Sequence, residues 1–159
     1  MSNDASSSRM TYGNYLRLPD LLSLQSGPKN YAPPPSNHEM HFIVVHQAFE
    51  LWFKLILREL EESRQKMSQQ IIGETQIQLI VQHLERVSEI FRLLAQQWKV
   101  METMSPIDFL SFRDRLGTSS GFESWQLRQI EFVMGLSNED RVGNMDPLEH
   151  MRKLSDEGK

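Results

Sequence analysis

The sequence predicts an all-α protein, a helical bundle with two long helices, two shorter helices and a disordered N-terminus. Apolar residues recur at helical spacing over two long stretches, and residues that begin or end helices flank them. No stretch alternates apolar and polar residues as a half-buried strand does. With 159 residues, of which 39% are apolar, the chain is long enough for one domain with a sizeable core.

The composition limits the function. The formal net charge of −4 argues against nucleic acid or an anionic membrane surface as the main partner. The sequence contains no cysteine, which excludes disulfides and thiolate chemistry, and we expect a cytoplasmic location. Residues 1–10 are polar and Ser-rich, so they lack the apolar core of a secretory signal and are expected to be disordered.

The region after residue 10 combines a short amphipathic segment with a stiff connector. Tyrosine and leucine residues recur over 11–25, and Pro19 is expected to break this segment. Residues 26–36 contain Gly27 and four prolines, which predicts an extended connector.

The first long helix is predicted over residues 36–70. Ser36 and Glu39 have the spacing of a capping box at its start. Between residues 42 and 57 apolar side chains cover nearly every face of the helix. This pattern predicts burial within protein rather than a membrane span, because polar residues interrupt the apolar run and the run is short.

The second long helix is predicted to begin near Thr75. Two apolar series, offset by three residues, repeat every seven positions over four heptads. These series are Ile77, Leu84, Phe91 and Trp98, and then Ile80, Val87, Leu94 and Met101. The repeat predicts a seam along which the helix packs lengthwise on another helix, as in an ordinary bundle.

A third helix is predicted from the pair Ser105 and Pro106, because proline is favoured at the first helical position. Gly117 is expected to end this helix. Residues 117–121 then form a small polar loop rich in glycine and serine.

The fourth helix is predicted over residues 122–134 and is expected to stop at Gly135. Residues 137–159 are mainly polar and are expected to form a tail. The predicted helical domain therefore covers residues 11–136.

One histidine lies within the most apolar helix. On a helical wheel His46 shares a stripe with Phe42, Phe49, Glu50 and Phe53. A buried imidazole can serve as a general base near neutral pH. The alternative is a core histidine that is satisfied by a neighbouring polar group.

The other histidines carry weaker signals. His38, Glu39 and His41 could suggest a metal site, but their spacing matches no strong zinc pattern, and a polar helix start is the simpler interpretation. His83 is expected on a solvated face, and His150 lies in the polar tail.

Arginines flank the polar loop. Arg113, Arg115 and Arg128 each carry a guanidinium fork that can bind a carboxylate through two hydrogen bonds. The alternative for each is a solvated surface charge. Backbone N–H groups of the loop could also meet an anion, although the loop lacks the lysine and the spacing of a P-loop.

Six blocks of the sequence resemble tryptophan 2,3-dioxygenases and follow the same order as in that family. The most specific are His-Glu-Met-His-Phe-Ile-Val-Val-His-Gln from His38 and Ser-Ser-Gly-Phe-Glu-Ser from Ser119. The blocks lie at residues 12–16, 38–54, 84–87, 101–104, 108–113 and 119–124. The resemblance covers roughly the predicted domain.

The resemblance implies a haem-dependent enzyme that inserts O2 across the indole C2–C3 bond of L-tryptophan. The product is N-formylkynurenine, which begins the kynurenine pathway. His46 resembles the distal histidine that contacts the indole N–H, and Phe42 resembles the aromatic residue beside it. Arg113 resembles the arginine that binds the substrate carboxylate. The remaining residues that resemble the lining of this site are Phe109, Leu116, Ser120 and Gly121.

The resemblance also implies an oligomer. Tyr12, Tyr15 and Leu16 resemble a segment that reaches into the pocket of a neighbouring subunit, usually in a homotetramer. The family's axial ligand to haem b is a histidine of the C-terminal half. This chain is therefore expected to supply the distal side, with the haem ligand on a complementary C-terminal half.

One departure keeps other functions open. Phe109 stands where many family members have tyrosine, so a hydroxyl that could bond the substrate is missing. A related haem enzyme that oxidises an indole with a monooxygenase outcome stays an alternative. A haem-free helical module that binds an aromatic amino acid or a protein partner is another.

Overall fold

The computed structural model describes residues 10–28 and 30–141, apart from the side chain of Phe122. Helices and turns make up this part of the chain, and it contains no strand, which confirms the all-α prediction. The predictions for residues 1–9 and 142–159 lie outside the described residues. The helices are α1 (Tyr12–Leu16), α2 (Leu18–Leu21), α3 (Asn37–Met67), α4 (Glu74–Met101), α5 (Pro106–Leu110) and α6 (Trp125–Val133), with 3₁₀ turns at Arg113–Leu116 and Gly121–Glu123.

Helix α3 begins where the sequence predicts, but only half of the predicted capping box forms. The Ser36 hydroxyl accepts a hydrogen bond from the backbone N–H of Glu39 at 3.2 Å. The Glu39 carboxylate does not return to the Ser36 backbone. It accepts from the Tyr31 hydroxyl and pairs with Arg115, because a buried carboxylate gains more from a cation than from a backbone amide.

Helices α3 and α4 are antiparallel and form the core together with α6. The Gln97 side chain donates to the Val45 carbonyl near one end of the pair, and His83 contacts Glu59 near the other. By length and composition α3 could also cross a membrane, as the core helices of many soluble proteins could. The buried core consists of Val45, Phe49, Phe53, Ile56, Leu60, Val87, Ile90, Leu94 and Ile130.

The predicted seam of α4 is only half correct. Ile80, Val87 and Leu94 of the second series are buried as predicted, and Ile90 joins them. The first series is mostly exposed, at Ile77, Leu84 and Trp98. A straight helix turns every 3.6 residues and drifts off a seven-residue repeat, so α3 covers one series and leaves much of the other outside.

The predicted solvated position of His83 is wrong. Its side chain is only 19% exposed, and its Nδ1 contacts the buried Glu59 carboxylate across the α3–α4 interface. Arg86 donates to the same carboxylate at 2.7 Å. Burial by itself raises the pKa of Glu59, but the hydrogen bonds from His83 and Arg86 outweigh it and hold that pKa below its ordinary value.

The N-terminal segment breaks at a different residue from the one predicted. Arg17 has a φ of 51° and separates α1 from α2, whereas Pro19 lies in the first turn of α2, where its missing N–H costs no hydrogen bond. Two glutamine contacts fasten the end of this segment to α3: Gln25 donates to Gln47, and Gln47 donates to the Leu24 carbonyl.

The third and fourth helices are shorter than predicted. Helix α5 starts at Pro106, with Ser105 as its cap, but stops at Leu110 rather than at Gly117. The chain leaves helical geometry there because Phe112, 2% exposed, turns into the core. Helix α6 begins at Trp125, after the Ser124 hydroxyl caps it, rather than at residue 122.

Candidate functional site

A cavity of about 830 Å³ lies between α3, α4, the turn Arg113–Leu116 and the loop before α6. Its volume is in the range of sites for small organic ligands. Its walls are mainly aromatic and aliphatic, with a few polar groups. The lining residues are Phe42, His46, Phe49, Glu50, Phe53, Phe91, Leu94, Ala95, Trp98, Phe109, Arg113, Leu116, Ser119, Ser120, Gly121, Ser124 and Leu127.

His46 presents one ring nitrogen to the cavity. Its Nδ1 lies 2.8 Å from the Phe42 carbonyl oxygen, one helical turn earlier. A carbonyl oxygen only accepts, so Nδ1 carries the proton, and in the neutral ring Nε2 is then an acceptor. Nε2 faces Gly121, where an added Cβ would lie 3.7 Å away. The predicted alternative, a core histidine satisfied by a neighbouring polar group, therefore describes Nδ1. Nε2 remains at the cavity.

One aromatic ring contacts the imidazole, and other rings pack on that ring at one end of the cavity. The Phe42 ring lies 4.0 Å from the His46 ring, measured between centroids. Phe109 and Phe112 pack on Phe42 at 6.0 and 5.6 Å, and they meet each other edge to face. The ring of Phe49 contacts Trp98 of α4 at 5.2 Å. These contacts leave apolar faces around Nε2 that fit a flat aromatic ligand.

Arg113 supplies a cation at the cavity wall. It lies at the start of the 3₁₀ turn, and its Nη1 donates to the Gly117 carbonyl at 2.9 Å. Gly117 has a φ of 58°, a conformation that suits glycine and that reverses the chain toward Arg113. A guanidinium has five N–H donors, so this one bond fixes the group and leaves donors for an anion in the cavity.

The predicted anion-binding role of the loop amides is wrong for two residues. The Ser119 N–H donates to the Leu116 carbonyl at 3.1 Å, and the Ser120 N–H donates to the Glu123 carboxylate at 3.1 Å. Local turn hydrogen bonds thus occupy both donors. The loop lines the cavity mainly with small side chains, and the cation comes from Arg113.

The other two candidate arginines bind carboxylates within the protein. Arg115 forms an ion pair with Glu39 at 2.9 Å. Arg128 is 1% exposed and donates to Glu131 at 2.8 Å. Neither arginine lines the cavity. The alternative prediction of a solvated surface charge is also wrong for both.

The described residues contain no group of three or more His, Cys, Asp or Glu side chains that could hold a metal ion. His38 lies 3.5 Å from Asp108 instead, a contact between the start of α3 and the start of α5. Glu39 is 1% exposed, so the interpretation of His38, Glu39 and His41 as a polar helix start does not hold for Glu39.

Seven of the ten site residues predicted from the sequence line this cavity: Phe42, His46, Phe109, Arg113, Leu116, Ser120 and Gly121. Tyr12 and Tyr15 lie away from it and are about three quarters exposed, and Leu16 is 41% exposed. Phe91 and Trp98 form a wall of the cavity on α4, which we call the α4 wall. The sequence did not predict them as part of a site. Their seam positions were the available signal, but only the packing of α4 on α3 shows which ones face the cavity.

Glu50 is a polar residue of the cavity that the sequence did not predict as part of the site. It lies one turn after His46 on the same stripe of α3. Its carboxylate and its backbone carbonyl both accept from the Gln126 side chain, at 2.7 and 2.8 Å. This contact fastens α6 to α3 beside the cavity.

Comparison with known proteins gives a consistent result. The model of a family described as tryptophan 2,3-dioxygenase matches residues 1–153. Tryptophan 2,3-dioxygenase 2 of Ralstonia nicotianae is 46% identical over 84% of this chain and 36% of its own length. The tryptophan 2,3-dioxygenase of Sorangium cellulosum is 42% identical over 84% of this chain and 32% of its own. That of Serratia proteamaculans is 45% identical over 83% and 44%.

The chain thus spans between about a third and just under half of the length of these curated relatives. The matches cover the described residues that build the cavity, including the His46 and Arg113 segments. The family match over nearly the whole chain and the identities above 40% lead to one conclusion: this chain belongs to the tryptophan 2,3-dioxygenase family.

Proposed function

We propose that this chain forms the substrate-binding side of a haem-dependent dioxygenase that converts L-tryptophan and O2 to N-formylkynurenine. The observation that carries the proposal is the pairing of two polar groups across one aromatic cavity. His46 Nε2 is an acceptor for an indole N–H, and Arg113 is a cation for a carboxylate. L-Tryptophan carries both complementary groups at the two ends of one molecule.

The cavity residues would orient the amino acid before any oxygen chemistry. His46 Nε2 accepts a hydrogen bond from the indole N–H, the rings of Phe42 and Phe109 flank the indole, and Arg113 binds the carboxylate. Fixing both ends restricts rotation of the substrate, and such positioning supplies a large part of the rate enhancement of many enzymes. The aromatic wall excludes water from the indole ring, which strengthens both polar contacts.

One wall of the cavity supports the proposal of bound haem b. The side chains of Phe91, Leu94 and Trp98 offer an apolar surface of the kind that a macrocycle needs. Haem iron also takes an axial protein ligand. Within residues 10–28 and 30–141, His46 is the imidazole that lines this cavity, and its role here is toward the substrate. The axial ligand is therefore expected from residues beyond these, and bound haem would supply the activation of O2.

A neighbouring subunit completes the proposal. The exposed aromatic rings of Tyr12 and Tyr15 belong to the short helix α1, which the Thr11 hydroxyl caps. Large exposed apolar side chains on an ordered segment are typical of contact surfaces. We propose that this segment packs on another copy of the chain in a homo-oligomer such as a tetramer.

Isotope labelling of the product tests the reaction. This chain is combined with a C-terminal half that supplies the axial histidine, and the complex is loaded with haem; we call it the haem-loaded protein. It is given L-tryptophan and ¹⁸O-labelled O2, and the product is analysed by mass spectrometry. We expect N-formylkynurenine with both oxygen atoms labelled. A product that carries a single labelled oxygen atom would contradict dioxygenation and would favour the monooxygenase alternative.

Haem titration with visible absorption separates the haem enzyme from a haem-free module. We expect a Soret band of the haem-loaded protein that changes when L-tryptophan is added, because the substrate binds beside the haem. Binding of L-tryptophan that is identical with and without haem would favour the haem-free alternative.

A further inference from the structure

A second arginine lies on the same turn as Arg113 but points away from the cavity. Arg115 Nη1 lies 2.9 Å from Glu39 Oε2, and Arg115 Nη2 donates to the Pro33 carbonyl. The guanidinium also stacks on the Tyr31 ring, 4.1 Å from its centroid. Three parts of the chain, the proline-rich connector, the start of α3 and the turn, therefore meet at this one side chain.

The partner of Arg115 is a buried carboxylate that also accepts a hydrogen bond from a second donor. The Glu39 side chain is 2% exposed, and its Oε1 accepts from the Tyr31 hydroxyl at 2.7 Å. The same hydrogen bond raises the pKa of Tyr31 above its ordinary value, which keeps the hydroxyl a donor. A buried carboxylate with a fixed donor on one oxygen is a firm anchor for a cation on the other. We call Tyr31, Glu39 and Arg115 the arginine clamp.

The turn that carries Arg113 has little backbone support of its own. It is a single 3₁₀ turn of four residues, and its backbone bonds run from Arg115 to Phe112 and from Gly117 to Asp114. Its position therefore depends on side-chain anchors. Phe112 anchors one end in the core, and the arginine clamp anchors the turn to α3. Helix α3 also carries His46, so the clamp ties the two polar ends of the cavity to one helix.

We propose that Arg115 is a positioning residue, which fixes the turn through Glu39 so that Arg113 meets a carboxylate at a set distance from His46. The clamp has a second effect. It withdraws a guanidinium that lies two residues from Arg113, so one cation and not two is presented to the ligand. This inference rests on the proposed role of Arg113 in binding the substrate carboxylate.

Substrate discrimination tests the clamp. In the haem-loaded protein, Arg115→Gln should raise KM for L-tryptophan roughly tenfold, with kcat within about twofold of the parent. KM for tryptamine, which lacks the carboxylate, should stay near the parent value. Arg64→Gln is the matched control, because Arg64 is exposed and pairs with Glu61 on its own helix. Equal increases for both substrates, or no increase for either, would overturn the proposal.

A second variant tests the proposal if the Arg115→Gln protein folds poorly. Tyr31→Phe keeps the ion pair and removes one hydrogen bond to Glu39, so we expect the same selective rise in KM, by a smaller factor. A Tyr31→Phe protein that is destabilised but discriminates between the two substrates as the parent does would count against positioning.

Amide hydrogen exchange gives a readout that needs no substrate. In the Arg115→Gln protein the amides of residues 113–117 should exchange faster, while those in the middle of α3 stay protected. Unchanged exchange at 113–117 would overturn the proposal. Faster exchange in a protein whose parent does not distinguish L-tryptophan from tryptamine would support the clamp and reject the proposed role of Arg113.

Discussion

The Phe42 carbonyl oxygen accepts a hydrogen bond from His46 Nδ1 at 2.8 Å, and this contact fixes which imidazole nitrogen faces the cavity. The two residues are one helical turn apart, so the backbone of α3 itself supplies the acceptor. The neutral ring then presents Nε2 as a lone-pair acceptor beside Gly121. An acceptor in this place suits an N–H group such as that of indole.

Loss of the imidazole should therefore affect turnover more than binding. We expect His46→Ala to lower kcat at least about tenfold, with a modest rise in KM, because the aromatic walls keep the shape of the cavity. His38→Ala is the control, since His38 is half exposed and contacts Asp108 outside the cavity. Steady-state kinetics of both variants decide the matter, and unchanged turnover of His46→Ala would rule out the role given to this residue.

Truncation of Arg113 should remove recognition of the carboxylate. We expect Arg113→Ala to lose roughly 2–3 kcal/mol of L-tryptophan binding, the upper part of the range for hydrogen bonds to charged groups. The loss should be seen as a higher KM for L-tryptophan and little change for tryptamine. If the variant discriminates between the two substrates as the parent does, Arg113 does not bind the carboxylate.

A hydroxyl at position 109 should strengthen binding. Phe109 lines the cavity together with Arg113, and its ring packs on Phe42 and Phe112. Phe109→Tyr adds one donor without removing these ring contacts, and a net gain of about 0.5–1.5 kcal/mol is expected for one hydrogen bond. Titration calorimetry with L-tryptophan and tryptamine measures it. Equal gains for both ligands would show that the new hydroxyl does not reach the carboxylate.

Gly121→Ala should separate binding from stability. The added methyl would lie 3.7 Å from His46 Nε2, which is ordinary contact, so the fold accepts it. We expect the free energy of unfolding to stay the same or to rise by up to about 1 kcal/mol. L-Tryptophan binding should be weaker, because the methyl covers Nε2. Gly135→Ala gives the opposite stability result, since Gly135 has a φ of 75°. Unimpaired binding by Gly121→Ala would place the indole away from Nε2.

The buried Glu59 should make stability depend on pH. Its pKa in the folded protein is below the ordinary value of 4.5, so its pairing stabilises the fold above about pH 4.5 and is lost as the pH falls through the folded pKa. We expect Glu59→Gln to lower the free energy of unfolding at pH 7 by roughly 2–3 kcal/mol, and the difference from the parent to shrink in acid.

Urea unfolding from pH 7 to pH 3 measures this difference. Glu85→Gln is the control, because Glu85 is exposed on α4 and the loss of an exposed charge changes stability little. A constant difference between the Glu59→Gln protein and the parent at every pH would show that the carboxylate charge is not what stabilises the helix pair.

Local signals predicted the starts of α3 and α5, whereas long-range contacts determined features that local signals could not predict. Ser36 and Ser105 cap their helices as expected, because a cap involves residues only three positions apart. The second hydrogen bond of the capping box, from the Ser36 backbone N–H to the Glu39 carboxylate, was mispredicted. It does not form because Glu39 pairs with Arg115, 76 residues along the chain. His83 was mispredicted for the same reason, since its partner Glu59 is on another helix.

The site divides in the same way. Phe42 and His46 share one stripe of α3, so their spacing alone places them together. Arg113 and the loop were candidates from their residue types, but the resemblance to the family was needed to select Arg113 among three arginines and to connect it and the loop to His46. The α4 wall and the arginine clamp depend on how separate elements dock. The local sequence does not show which seam positions of α4 face the cavity or which carboxylate Arg115 binds.

The most direct measurement is the structure of the haem-loaded protein with L-tryptophan bound. Our account predicts the indole nitrogen within hydrogen-bond distance of His46 Nε2 and the carboxylate at the Arg113 guanidinium. L-Tryptophan bound in the reverse orientation, or outside the cavity lined by Phe42 and Phe109, would contradict it.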